Sequence, residues 1–165
     1  MSIEDDITCL EAVPTFRLLG PNALRILAIG CESRALDEGE VLFAAGERAD
    51  CGYVIQDGSF QLEPVAAGDR PAGRGDDPLV MMVGPGVLLG ELALIIDMAR
   101  PVTATAAEPS TVMRISRHLF RKTLEGFPDA AQRLRDHMAE RARETAEEIS
   151  LVRATLEAEP DQARE

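Results

Sequence analysis

The stretch Gly90-Glu91-Leu92-Ala93-Leu94-Ile95-Ile96-Asp97-Met98-Ala99-Arg100-Pro101-Val102-Thr103-Ala104-Thr105-Ala106 decides how this chain is read. It runs from a glycine into a short apolar helix, through a loop to one arginine, and then into a strand. The missing side chain at Gly90 allows a ligand to approach the backbone closely. The amides of the first turn, Glu91 to Ala93, have no intrahelical acceptor and favour an anion. Arg100 can hold the same anion through charge-assisted, two-pronged hydrogen bonds. Glu91 is different, because an ionised carboxylate only accepts hydrogen bonds. It would repel a phosphate, so its target is a sugar hydroxyl beside that phosphate. One anion and one neighbouring hydroxyl describe a nucleotide.

Gly90, Glu91, Leu92, Ala93 and Leu94, followed at a fixed distance by Arg100 and a strand of small and β-branched residues, resemble the phosphate-binding cassette of the cyclic nucleotide-binding domain family. The resemblance extends from about Leu10 to about Asp136. It implies that Arg100 pairs the cyclic phosphate, that Glu91 accepts from the ribose 2′-hydroxyl, and that Gly90 to Ala93 supply amides. It places Pro101, Val102 and Thr103 in the same ligand-binding set. It also implies an antiparallel β-roll, or jelly roll, with N-terminal helices and a long C-terminal helix. In the family that helix is the lid, whose early residues meet the purine; here these are Arg133, Leu134, His137 and Met138.

Pro101 departs from the family, which carries Ala, Ser or Thr after the arginine. Proline has neither an amide proton nor a hydroxyl. One lost donor costs about 1 kcal/mol, which weakens a site without abolishing it. The missing hydroxyl argues for cAMP over cGMP. The plain alternative for 90–106 is an amphipathic turn and strand whose Glu91 and Arg100 pair with each other across the loop.

Upstream of the cassette, from Cys31, the texture is of short β-rich runs between glycine turns. Ser33–Leu36, Val41–Phe43, Cys51–Ile55, Phe60–Val65 and Leu79–Val83 are the expected strands. Asp57-Gly58 between two of them reads as a hairpin turn. Gly39, Gly46 and Gly58 stand where the resembled roll has its turn glycines. Residues 66–78 form a long loop, read as the exposed tip of a hairpin rather than an interaction flap. Thr103–Ala107 and Thr111–Ile115 complete the sheet. Short strands at near-regular spacing favour an antiparallel barrel or jelly roll over a parallel sheet. Gly84, Gly86 and Gly90 miss the dinucleotide fingerprint by one residue and lack a βαβ unit.

The flanks are helical. Ser2 and Asp5 have capping-box spacing, Pro14 ends that element, and Ala23–Ile29 has packed-helix periodicity closed by Gly30. Ser116 caps 117–125 with Gly126 as its stop, and Asp129 caps a final helix of about 130–157. Along it, Met138, Ala142, Thr145, Ile149, Val152 and Leu156 form a heptad seam rimmed by Glu140, Arg141, Glu144, Glu147, Glu148 and Arg153. The seam is expected to pair two copies of the chain in parallel through 138–156. The organisation expected is a helical segment at 1–30, a β-roll at 31–116 with the cassette at 90–106, lid and dimerisation helices at 117–158, and a tail at 159–165. The acidic residues after the last helix leave no room for a helix-turn-helix. The resemblance is therefore to a stand-alone sensor, similar to the sensor domain of catabolite activator-like proteins, whose output is a partner protein.

Bulk properties narrow the class further. With 29 acidic and 17 basic residues, the formal net charge is −12. Most of such a surface repels DNA and RNA, so no nucleic-acid partner is expected. The three cysteines, Cys9, Cys31 and Cys51, have no zinc spacing and read as small apolar residues in a reducing compartment. The acidic amino terminus is no signal peptide and no apolar run can span a bilayer, which places the protein in the cytoplasm. No catalytic or metal-binding set is expected. A metal-binding jelly roll of the cupin kind needs histidines on strands, and the only two, His118 and His137, fall in the terminal helices. The remaining alternative is the same fold with a silent nucleotide site, serving as a dimeric interaction module.

Overall fold

The structure, a computed structural model, describes residues 2–64 and 80–157. The expected loop 66–78, Leu79 at the start of a strand, and the tail 159–165 lie outside the described residues, as do the side chains of Val152 and Leu156.

Helices α1 (Ile3–Ala12), α2 (Pro14–Arg17) and α3 (Pro21–Gly30) lead into strands β1 (Glu32–Leu36), β2 (Val41–Phe43), β3 (Arg48–Ala49), β4 (Cys51–Asp57), β5 (Phe60–Pro64), β6 (Met81–Val83) and β7 (Leu88–Leu89). A single 3₁₀ turn, Glu91–Leu94, precedes β8 (Met98–Ala99), β9 (Val102–Ala106) and β10 (Ser110–Ser116), and α4 (Arg117–Gly126) and α5 (Pro128–Glu157) close the chain. Two antiparallel four-stranded sheets, β1-β10-β4-β7 and β2-β9-β5-β6, are accompanied by a separate two-stranded ladder, β3-β8. This is the expected β-roll with flanking helices.

Alternation within β4 explains how one strand serves two cores. Cys51, Tyr53 and Ile55 point into the roll, where they pack with Phe43, Phe60, Leu89 and Val112. Val54 points the other way, into a helical core with Phe16, Leu24, Leu27, Met113 and Phe120. A strand buried on both faces has no polar alternation to show.

Asp57-Gly58 is not the turn of a hairpin. Gly58 has the expected left-handed backbone, with φ 82°, but β4 pairs with β10 and β7 while β5 pairs with β6 and β9. The chain crosses there from one sheet to the other. A β-carbon at Gly58 would lie 2.1 Å from Ser110 Oγ, so the crossing also needs glycine for space.

The Ser2–Asp5 capping box is present, and Ser116 Oγ accepts from the Leu119 amide. Gly30 closes α3 as expected, and Gly126, expected just past the end of its helix, is the last residue of α4. Gly30 is there because Leu119 of α4 packs where its side chain would be, 2.7 Å from an added β-carbon. Asp129 lies in the first turn of α5, behind Pro128, rather than at the cap. Among its described side chains, helix α5 buries apolar residues only near its start, although Arg141 further along reaches Glu91. Ala130 and Leu134 are buried, Met138 is half-buried, and residues 139–151 are exposed.

Candidate functional site

Arg100 is the residue around which the site is built. Its backbone is fixed on both sides, since its amide donates to Glu47 O at 2.7 Å and its carbonyl accepts from Gly46 N at 2.8 Å. The β3-β8 ladder, with Ala49 opposite Met98, holds the same segment. The side chain therefore turns inward and is only 4% exposed. Its guanidinium carbon lies 4.3 Å from the centre of the Phe43 ring and 5.6 Å from that of Tyr53, which are themselves stacked. Nη2 donates to Cys51 O at 2.8 Å and lies 3.3 Å from Cys51 Sγ. Nη1 has no partner, and among the described residues no carboxylate pairs with the group. Glu91 and Arg100 thus do not pair across the loop. Burial pushes the Tyr53 phenol up, so the aromatic floor is uncharged at neutral pH.

A buried cation without a counter-charge costs several kcal/mol in desolvation. Aromatic faces recover part of that, about 0.5–2 kcal/mol. An anion supplied from outside would recover the rest. The space for it is a cavity of about 340 Å³ that takes in Gly90 to Ala93, Arg100, Pro101 and Val102, walled by apolar side chains including Leu62, Met81, Val83 and Met98. That falls in the range of about 300–1,000 Å³ usual for small-molecule sites.

Gly90 has φ 77° and starts the 3₁₀ turn. Ala93 N donates to Gly90 O at 3.0 Å, so its amide is already used within the turn. Of the expected donors Gly90 to Ala93, only the Ala93 amide is spent in this way. Glu91 accepts from the buried Thr15 hydroxyl of α2, and Arg141 Nη1 of α5 lies 3.4 Å from each of its carboxylate oxygens. The cassette is thereby tied to both ends of the helical layer.

Other expected contacts stand elsewhere. Thr103 is not on the cavity wall; its hydroxyl accepts the Ala45 amide at 2.9 Å and secures the loop beneath Arg100. Arg133, Leu134, His137 and Met138 do not border the cavity either. Arg133 donates to the Leu18 carbonyl at 2.7 Å, and His137 is half-buried on α5. Leu134 and Met138 face a separate apolar cavity of about 670 Å³ between Leu92, Ile95 and Ile96 and helix α4. That cavity is larger, and each of its two arginines makes one hydrogen bond, Arg121 to Ile95 O and Arg135 to Gln132.

Sequence reasoning missed Phe43, Tyr53 and Cys51 under the guanidinium, because alternation says that a strand residue is inside and not what it faces. It missed Thr15, and it passed over Arg141 as rim because the reach of α5 depends on its docking angle. Among the described residues, no three His, Cys, Asp or Glu side chains are grouped to hold a metal ion, and no helix is long and apolar enough to cross a membrane.

The family description "Cyclic nucleotide-binding domain" matches residues 33–126. Among curated proteins, acetyltransferase Pat of Mycolicibacterium smegmatis is 34% identical over 100 residues, covering 61% of this chain and 28% of that protein. The cyclic AMP receptor protein of Thermus thermophilus is 24% identical over 143 residues, 87% of this chain and 63% of its own length. The chain therefore spans less than two thirds of either. Among solved structures, a cyclic nucleotide-binding-like protein from Brucella abortus is 40% identical with a TM-score of 0.62, covering 73% of this chain and 98% of that one.

Proposed function

Because the chain belongs to the cyclic nucleotide-binding domain family, we propose that it is a non-catalytic sensor that binds a cyclic nucleoside monophosphate, cAMP in particular, and signals to a partner protein through α5. The observation that carries this reading is the buried, carboxylate-free guanidinium of Arg100, with Nη1 unpaired at a cavity of nucleotide scale. A cyclic phosphate brings one negative charge, which matches one arginine without a second cation.

Glu91 can serve a ribose hydroxyl while keeping Thr15, since two carboxylate oxygens offer about four acceptor positions. Arg141 would feel the change, because it approaches the same two oxygens. A ligand at the cassette thus alters the hold on α5, and it shifts that helix by its difference in affinity between the two arrangements. Pro101 on the cavity wall offers neither a hydroxyl nor an amide proton, which favours cAMP over cGMP. The exposed stretch of α5 supports a second copy as one partner of that helix, within a cytoplasmic setting.

Calorimetric titration with cAMP, cGMP and cyclic dinucleotides tests the reading. The expected result is one site per chain with cAMP tightest. A second reading, an interaction module with a silent site, is favoured by one observation: Glu91 already holds Thr15 and Arg141 without a ligand. No heat with cAMP or cGMP at hundreds of micromolar selects that alternative.

A further inference from the structure

Arg117 opens α4 just after its Ser116 cap, a place where an arginine would ordinarily extend into solvent. Instead it runs beneath the cassette, and its side chain is 16% exposed. Its Nε donates to Ala93 O at 2.6 Å, and its Nη2 donates to Ala49 O. Nη1 lies 3.7 Å from Asp97 Oδ1, and Arg48 grips that carboxylate with two further bonds of 3.1 and 2.7 Å. The Arg117 amide donates to Asp50 O at 2.8 Å.

The two carbonyls belong to the two backbone segments that flank Arg100. Ala49 pairs with Met98 on the ladder that leads into Arg100. Ala93 belongs to the turn whose first residues carry the free amides. Ala49 and Ala93 are both almost fully buried and both line the ligand cavity. One planar guanidinium therefore spans the two walls from behind, a geometry a lysine ammonium cannot reproduce. We propose that Arg117 is a positioning residue for the ligand site. It never touches the ligand, but it sets the spacing between the amide-bearing turn and the Arg100 guanidinium, so that both meet one anion. The inference rests on the reading of the cavity as a cyclic nucleotide site.

The test uses the full chain. Arg117→Ala and Arg117→Lys are titrated with cAMP below their own melting temperatures, with and without millimolar methylguanidinium. Positioning predicts that affinity falls by about tenfold or more in folded Arg117→Ala. It predicts only partial retention in Arg117→Lys, and recovery of the alanine variant by methylguanidinium. A merely structural role would lower the melting temperature and leave the affinity of folded protein within about twofold of wild type, which overturns the proposal. If wild type binds neither cAMP nor cGMP, the functional reading fails, and hydrogen exchange without ligand then decides. Faster exchange confined to amides 90–96 in Arg117→Ala sustains the positioning role, and unchanged exchange there overturns it.

Discussion

A β-carbon on Gly90 would lie 2.3 Å from Nη1 of Arg100. The glycine that begins the 3₁₀ turn is therefore also the opening through which the guanidinium reaches its cavity. Two demands coincide at one position, a φ of 77° and the absence of a side chain. Gly90→Ala should cost about 1–2 kcal/mol for the left-handed backbone alone, and it should also displace Arg100. Gly39 isolates the second effect, since it has φ 80° and nothing within 4 Å of an added β-carbon. Thermal unfolding should show a similar backbone penalty in Gly39→Ala and Gly90→Ala, while calorimetry shows lost cAMP binding only in Gly90→Ala.

Arg100→Ala should separate folding from binding. Its guanidinium has no charged partner to strand, and the desolvation cost it imposes offsets the packing it supplies. The unfolding free energy should stay within about 1 kcal/mol of wild type, while cAMP affinity drops by about 2–5 kcal/mol as the phosphate loses its counter-charge. An unfolded variant, or folded protein with unchanged affinity, would remove Arg100 from its assigned role.

The role proposed for Glu91 is specific to one hydroxyl. Glu91→Gln should weaken cAMP by about 1–3 kcal/mol, yet hardly change binding of the 2′-deoxy cyclic nucleotide, which has nothing to donate there. Equal losses for both ligands would mean that Glu91 acts by holding Thr15 and Arg141.

What could be read in advance follows the range of the forces involved. The Ser2 and Ser116 caps depend on residues three positions away, so they were legible. The Gly58 turn was legible for the same reason. Its neighbours were not, because Phe60 pairs with Ala106 and Val83 rather than with a residue across the turn. At the site, Gly90 and Arg100 stand out as a pattern in one short stretch. Phe43 and Tyr53 beneath Arg100 do not, since only the closed roll brings β2 and β4 under the arginine. Likewise the sequence places Arg133 rather than Arg141 toward the pocket, whereas Arg133 donates to the Leu18 and Leu19 carbonyls.

Alkaline pH should weaken the helical layer. Burial beside Asp6 pushes the Cys31 thiol up to about 11 from 9.0. A thiol with a raised folded value stays neutral in the native state while the unfolded chain ionises. Its contribution is complete below about pH 9 and is lost as pH rises toward about 11. Denaturant midpoints should fall across that window, and Cys31→Ala should flatten the fall. Cys9, also raised by burial, adds in the same direction.

Helix α5 presents the last test. It is 30 residues long, yet Ala130 and Leu134 are the buried residues by which it is anchored, and Ile149 is 65% exposed. Ala142, Thr145 and Ile149 continue the line of Met138 past the edge of the body. A lone helix of that composition gains little from its own propensity, so a stable extension needs an apolar partner. Parallel pairing of two copies supplies one, with the acidic and basic rim at its flanks. Ala142 and Thr145 make the pairing weak, because neither fills a hole as leucine does. Sedimentation equilibrium at micromolar concentration should therefore find a dimer that Ile149→Asp splits and Thr145→Leu tightens. Neither change should alter cAMP affinity per chain by more than the shift in pairing allows. A strict monomer with and without cAMP would leave this helix to a different protein, and the sensor's output would then run through that protein alone.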